Sequence, residues 1–241
     1  KSSILRMRLK LLNDAMEKDW APAYLQFGRM IRRGELPDGN LAGAFDYFVK
    51  GAKLGNEDSL SEAWSIALDP NACSNCAPKD DGRLRLVKAD GLSDVNEAER
   101  FAMGKAYLAE KRAMIEQVRP LLLAAYKKEH DRAAEGLVAL YIDGVQVNDP
   151  LQSYDLYDTW VVEPDGAKAE ALLKEVAANS MRDSWAAMLL GLYYVDPKKS
   201  GIAVNPAESI RYLELAASGQ DANAIKAAQF LGHELVTGKL Y

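Results

Sequence analysis

The chain is poor in the residues that most often carry chemistry: its 241 residues include only two cysteines and two histidines. His130 and His233 cannot share one helical face, so no motif of paired histidines is available to ligate a metal. There is no phosphate-cradling glycine loop, no strained serine elbow and no aspartate cluster of calcium-loop spacing. No catalytic residue, metal site or cofactor is therefore expected, and the chain reads as a non-enzyme. His130 follows Lys127, Lys128 and Glu129 at a helix end, where a cation suits the helix dipole. For His233 the expectation is a surface or packing role.

Long apolar runs are also missing. No stretch approaches the roughly 18 apolar residues that a membrane-spanning helix needs. A basic excess is absent as well: 30 lysines and arginines face 35 acids, for a net charge of -5. A duplex-binding surface needs a concentrated basic footprint, so a nucleic-acid partner is not expected. Arg6, Arg8 and Lys10 make a short basic opening that reads as a solvated helix start. The chain begins at Lys1 rather than methionine, which fits a removed secretory signal or lipoprotein leader, or a boundary set for expression.

Cys73 and Cys76 stand together in a polar segment, with neither histidine near in sequence. A structural zinc normally takes four ligands, and a thioredoxin-type motif needs a strand-helix-strand setting, so both are weakly supported. The pair reads as a local disulfide pinning a loop, which would suit an oxidising compartment, with two free thiols as the alternative.

Helical periodicity dominates, and strand alternation is nearly absent. Within it a glycine recurs one residue after an apolar position: Phe27-Gly28 with Gly34 following, Leu190-Gly191 with Tyr193-Tyr194, and Leu231-Gly232 with Leu235 and Gly238. Glycine inside a helix costs roughly 1 kcal/mol against alanine. The common cause expected is close packing of each such helix on its neighbour, with the second glycine ending the helix in a left-handed conformation.

First helices are expected over 20–33, 58–68, 131–142, 185–194 and 222–237, and a second-type helix over 41–54. Second-type helices end in alanine pairs: Ala124-Ala125, Ala177-Ala178 and Ala216-Ala217. Two connectors are alike, Gly144 to Pro150 and Gly201 to Pro206, each with a polar cap before proline. Asn205 with Glu208 forms a capping-box-like start worth about 1 kcal/mol. Pro120 is expected to break or kink the helical run from about 111 to 130.

On Ala186, Leu190, Gly191, Tyr193, Tyr194, the 201–206 connector and Ala216-Ala217, the chain resembles the Sel-one-like repeat (SLR) family, relatives of the tetratricopeptide repeat. Ala227, Leu231, Gly232 and Gly238 supply a further half repeat, and Ala23, Gly28, Gly34, Gly51, Ala52 and Gly55 a fair first one. Val138 stands where one repeat should carry its helix glycine, and Pro197 where another should end in glycine. The resemblance implies an all-α fold: one right-handed superhelical solenoid of stacked helix-turn-helix repeats over 1–241, interrupted by insertions at about 69–95 and 150–165.

The insertions hold the candidate binding residues. Tyr154, Asp155, Tyr157, Asp158 and Trp160 form the richest surface set, since tyrosine and tryptophan are enriched at hot spots and the acids would complement a basic partner. The alternative is that these aromatics pack the insertion onto the stack. Asp80, Asp81, Arg83 and Arg85 are the second set, on a loop longer than ordinary connectors, with a merely solvated face as the alternative.

The function implied is protein binding without catalysis. The specific expectation is a periplasmic or cell-envelope immunity protein that binds and inhibits a secreted antibacterial effector, such as a phospholipase delivered by type VI secretion. The alternatives are an adaptor or signalling scaffold, which would allow a cytoplasmic location, and a lactam-binding or lactam-hydrolysing protein.

Overall fold

The computed structural model describes residues 2–36, 40–69, 72, 76–78, 84–86, 97–127, 131–146, 160–179, 184–196 and 200–237. Among these the fold is all-α, with ten helices that pack in sequential pairs. The chain forms two compact units, Lys1–Glu129 with Gln146–Val161, and His130–Val145 with Val162–Tyr241.

In the first unit, α1 (Ser2–Met16), α2 (Ala21–Arg32), α3 (Leu41–Lys53), α4 (Glu57–Leu68) and α5 (Glu97–Tyr126) each pack on the next. Local chemistry sets the ends of these helices. Pro22 lies in the first turn of α2, where no intrahelical donor is lost. At the other end Gly34 adopts φ +68°, its N–H donates to Ile31 O, and the Glu35 N–H reaches back to Met30 O. This left-handed glycine satisfies carbonyls that the last turn leaves orphaned. Asn40 caps α3 by accepting from Gly43 N at 2.7 Å, and Asn56 caps α4 by accepting from Ser59 N at 2.8 Å.

In the second unit, α6 (Asp131–Asp143), α7 (Gly166–Asn179), α8 (Trp185–Val195), α9 (Pro206–Ala217) and α10 (Ala222–Thr237) follow the same plan. Asp165 caps α7 through Lys168 N at 3.0 Å. Asp221 caps α10 through Asn223 N and Ala224 N, both at 2.8 Å, while its other oxygen accepts from Ser184 N at 2.7 Å. One carboxylate thus ties the start of α8 to the start of α10, and these bonds hold it below the usual carboxylate range.

The helix glycines carry the expected close packing at two of the three positions. A Cβ on Gly28 would lie 2.6 Å from the Phe48 ring of α3, and one on Gly191 would lie 2.5 Å from Leu213 Cγ of α9. Gly232 departs from the expectation: nothing stands within 4 Å of its missing side chain, because no helix follows α10 among the described residues. The same approach lets Ser209 Oγ donate to Gly191 O at 2.7 Å.

Several details also differ from the sequence reading. Pro120 does not end a helix. The break half of that expectation is corrected: α5 runs through Pro120, with buried Ile115 and Val118 before it and Leu122 after. The 69–95 insertion contains an antiparallel ladder of β1 (Cys76–Pro78) on β2 (Leu84–Leu86), and a second ladder joins β3 (Val145–Gln146) to β4 (Trp160–Val162). At Asn205 only half of the capping box forms. Its side chain accepts from Glu208 N, but its own N–H donates to Tyr194 O, and Glu208 pairs with Arg211.

Two substitutions separate packing from helix propensity. Gly191→Ala forces Leu213 and the α9 backbone to shift and should destabilise the fold by about 1–3 kcal/mol. Gly232→Ala meets open space and should stabilise it by up to about 1 kcal/mol. Urea denaturation of both variants at low protein concentration checks the pair, and equal effects would disprove the packing account.

Candidate protein-binding groove

The candidate residues of the two insertions are not brought together among the described residues. Cys73, Asp80, Asp81, Arg83, Tyr154, Asp155, Tyr157 and Asp158 lie outside them. Cys76 and Arg85 lie on β1 and β2, where Cys76 pairs with Leu86 and Arg85 with Ala77. Trp160 opens β4 as a half-buried residue. Its carbonyl accepts from Arg112 Nη2 at 3.0 Å, and Val161 O accepts from Arg112 Nε at 3.3 Å. The Trp160 backbone is thus pinned to α5.

A different place in the first unit has the form of a site. Between the first turns of α3 and the middle of α5 lies a groove of about 350 Å³. Buried Phe45 and Met114 form its floor, and Asn40, Asp46, Glu110 and Gln117 contribute its polar lining. Small residues, Ala42, Gly43 and Ala113, keep it open. The α3 N-terminus brings about half a positive charge to its edge, Asp46 stands on the same wall, and Glu110 lies on the α5 side, where it also acts on the Lys111 ammonium. Asp46 over the apolar floor of Phe45 and Met114 suits a cation with an apolar stem. An arginine side chain has that build: a planar fork of donors on a chain of methylenes. Nothing in the sequence pairs Asp46 with Glu110, since the packing of α3 on α5 is not written in the period of either helix.

Other charged clusters hold helices to helices. Glu62 of α4 receives Arg29 Nε at 2.9 Å and Arg32 Nη1, which ties α2 to α4, and Asp58 lies 3.7 Å from Arg29. In the second unit Tyr194 OH donates to Glu170 Oε1 at 2.7 Å, and Lys174 Nζ reaches the same oxygen at 2.6 Å. Burial and that carboxylate push the Tyr194 hydroxyl up to about 12, so it is no base at neutral pH. The partner bonds lower the Glu170 carboxyl and raise the Lys174 ammonium. This cluster joins α7 to α8 and keeps its charges fixed. Among the described residues no group of three or more His, Cys, Asp or Glu side chains could hold a metal. None of their helices is long and apolar enough to cross a membrane.

Lys111, beside Glu110 on α5, is fully buried. Its ammonium donates to the carbonyls of Ile66 at 3.1 Å, Asp69 at 2.7 Å and Ala72 at 3.4 Å. It therefore caps the C-terminus of α4 from another helix, a role that the sequence does not signal. Burial lowers its pKa to about 8, against the opposing pull of Asp69 and Glu110. A depressed lysine pKa means that the unfolded chain binds more protons than the folded one between about 8 and 10.5. Stability should therefore rise with pH across that window. Lys111→Met removes three charge-assisted hydrogen bonds, leaving Ile66 O only the Asp69 N–H and Asp69 O only the Ala72 N–H, and should cost about 1–3 kcal/mol at neutral pH. The gap between wild type and variant should then widen as pH rises from 8 to 10.5. Denaturant midpoints at matched pH values check this, and a constant gap would contradict it.

No protein-family model matches the chain, and no curated protein matches it. Among solved structures it is similar to the crystal structure of a protective antigen present in uropathogenic Escherichia coli strains, which displays an SLR fold. The two are 14% identical, with a TM-score of 0.37 over 97% of this chain and 45% of that one. This chain thus spans less than half the length of that protein.

Proposed function

We propose that this protein is a non-catalytic binding protein that seats a basic side chain of a protein partner in the groove between α3 and α5. One observation carries the reading: the Asp46 carboxylate stands beside a buried apolar floor of Phe45 and Met114 in a cavity sized for a side chain. The finer reading is a periplasmic immunity protein that blocks a secreted antibacterial effector, such as a phospholipase. The repeat pattern around Gly191 supports it, because immunity factors occur among proteins that carry such repeats.

Two measurements test these levels separately. Amide shifts of Ala42, Gly43, Ala113 and Gln117 should move saturably on titration with acetyl-arginine methylamide. The isosteric neutral citrulline amide should leave them in place, as should a protein carrying Asp46→Asn and Glu110→Gln. Equal responses to both probes would remove the groove from consideration. For the finer reading, the product of the neighbouring gene should form a complex with this protein and lose its activity in it. Asp46→Lys should weaken that complex about tenfold or more. A neighbour that neither binds nor is inhibited would sink the immunity reading while leaving the groove intact.

A further inference from the structure

The walls of the groove carry polar groups that an arginine side chain leaves unused. Along α3 the groove runs from Asn40 at the cap to Asp46, about 9 Å of helix axis. Along α5 it runs from Glu110 to Gln117, about 10 Å. Either length matches about three residues of extended chain.

Three of the lining groups have bonding capacity to spare. The Asn40 carboxamide uses its oxygen to accept from Gly43 N at 2.7 Å, which leaves both donors of its Nδ2 open. Gln117 is exposed, and its carboxamide makes no hydrogen bond among the described residues, so it keeps donors and an acceptor together. The Asp46 carboxylate pairs with no cation among the same residues. A guanidinium answers Asp46, but it only donates and so cannot satisfy the donors of Asn40. A peptide carbonyl can. The N–H and C=O of one extended residue also match the acceptor and donor of Gln117. A helix offers neither along its middle, because it pairs these groups internally.

Resting on the reading that the groove seats a basic side chain, we propose that the partner presents an arginine from an extended segment, whose backbone is held by Asn40 and Gln117 while the guanidinium reaches Asp46. The methylenes of that arginine lie on Phe45 and Met114. Main-chain hydrogen bonds then add affinity that a helix laid in the groove would lack.

Amide shifts of Ala42, Gly43 and Ala113 measure the binding of three probes: butylguanidinium, acetyl-Ala-Arg-Ala-methylamide, and an alanine-rich helical peptide with one central arginine. The tripeptide should bind about tenfold more tightly than butylguanidinium, which has no backbone. The helical peptide should gain nothing over butylguanidinium. Asn40→Ser keeps a capping oxygen and Gln117→Ala changes an exposed position, so circular dichroism should show both folded. Each variant should remove most of the tripeptide's advantage and leave butylguanidinium binding unchanged. Gln117→Ala carries the comparison alone should Asn40→Ser fail to fold. A tripeptide that binds no more tightly than butylguanidinium would overturn this inference and leave the groove reading standing. So would an advantage that survives the substitutions, or a helical peptide that equals the tripeptide. Butylguanidinium that moves none of these amides would remove the groove reading, and this inference with it.

Discussion

The close approach of paired helices at a glycine is the constraint on which the rest depends. Where Phe48 sits over Gly28 and Leu213 over Gly191, the second helix comes nearer to the first than any Cβ would allow. That distance also lets a serine hydroxyl cross between backbones, as Ser209 does to Gly191 O. The glycine penalty of roughly 1 kcal/mol is offset by full burial of the incoming side chain, which contributes about 1.5–3 kcal/mol. The approach is stabilising only while the large side chain is present. A helix glycine without its counterpart, as at Gly232, has the penalty and not the gain.

The connectors have a complementary job. Asn40, Asn56, Asp165, Asn205 and Asp221 each accept from a backbone N–H in the first turn of the helix that they open. Each cap fixes where its helix begins, and therefore which of its residues meet the preceding helix. Asp221 goes further, since its second oxygen holds Ser184 N and so sets the first turn of α8 against that of α10. Charge is used sparingly inside this frame. Lys111, the one fully buried cation among the described residues, is matched by three carbonyls rather than by a carboxylate.

The features legible in the sequence are those encoded within a dozen residues. Period, caps, left-handed glycines and the filled sites at 28 and 191 all lie within one hairpin, and local pattern was enough to place them. What was not legible depends on partners far along the chain. Lys111 looks like a surface lysine until α4 delivers three carbonyls to it. Pro120 looks like a break or a kink, yet α5 continues through it between buried Val118 and Leu122. Gly232 has the same signature as Gly191, and only the absence of a following described helix distinguishes them.

The groove between α3 and α5 arises where the regular scheme relaxes. Elsewhere α2 meets α3 and α8 meets α9 through the glycine register, and those facing surfaces are filled by that contact. By contrast α5 is 30 residues long and carries Pro120 inside it, and α3 meets it through small residues near its own start. A gap over Phe45 and Met114 would ordinarily be a packing defect of the kind that costs stability in proportion to its size. Open to solvent and edged by Asp46 and Glu110, it is a cleft that solvent can fill rather than an empty void. A regular stack can tolerate one such irregularity because each helix pair is stabilised chiefly by its own neighbours.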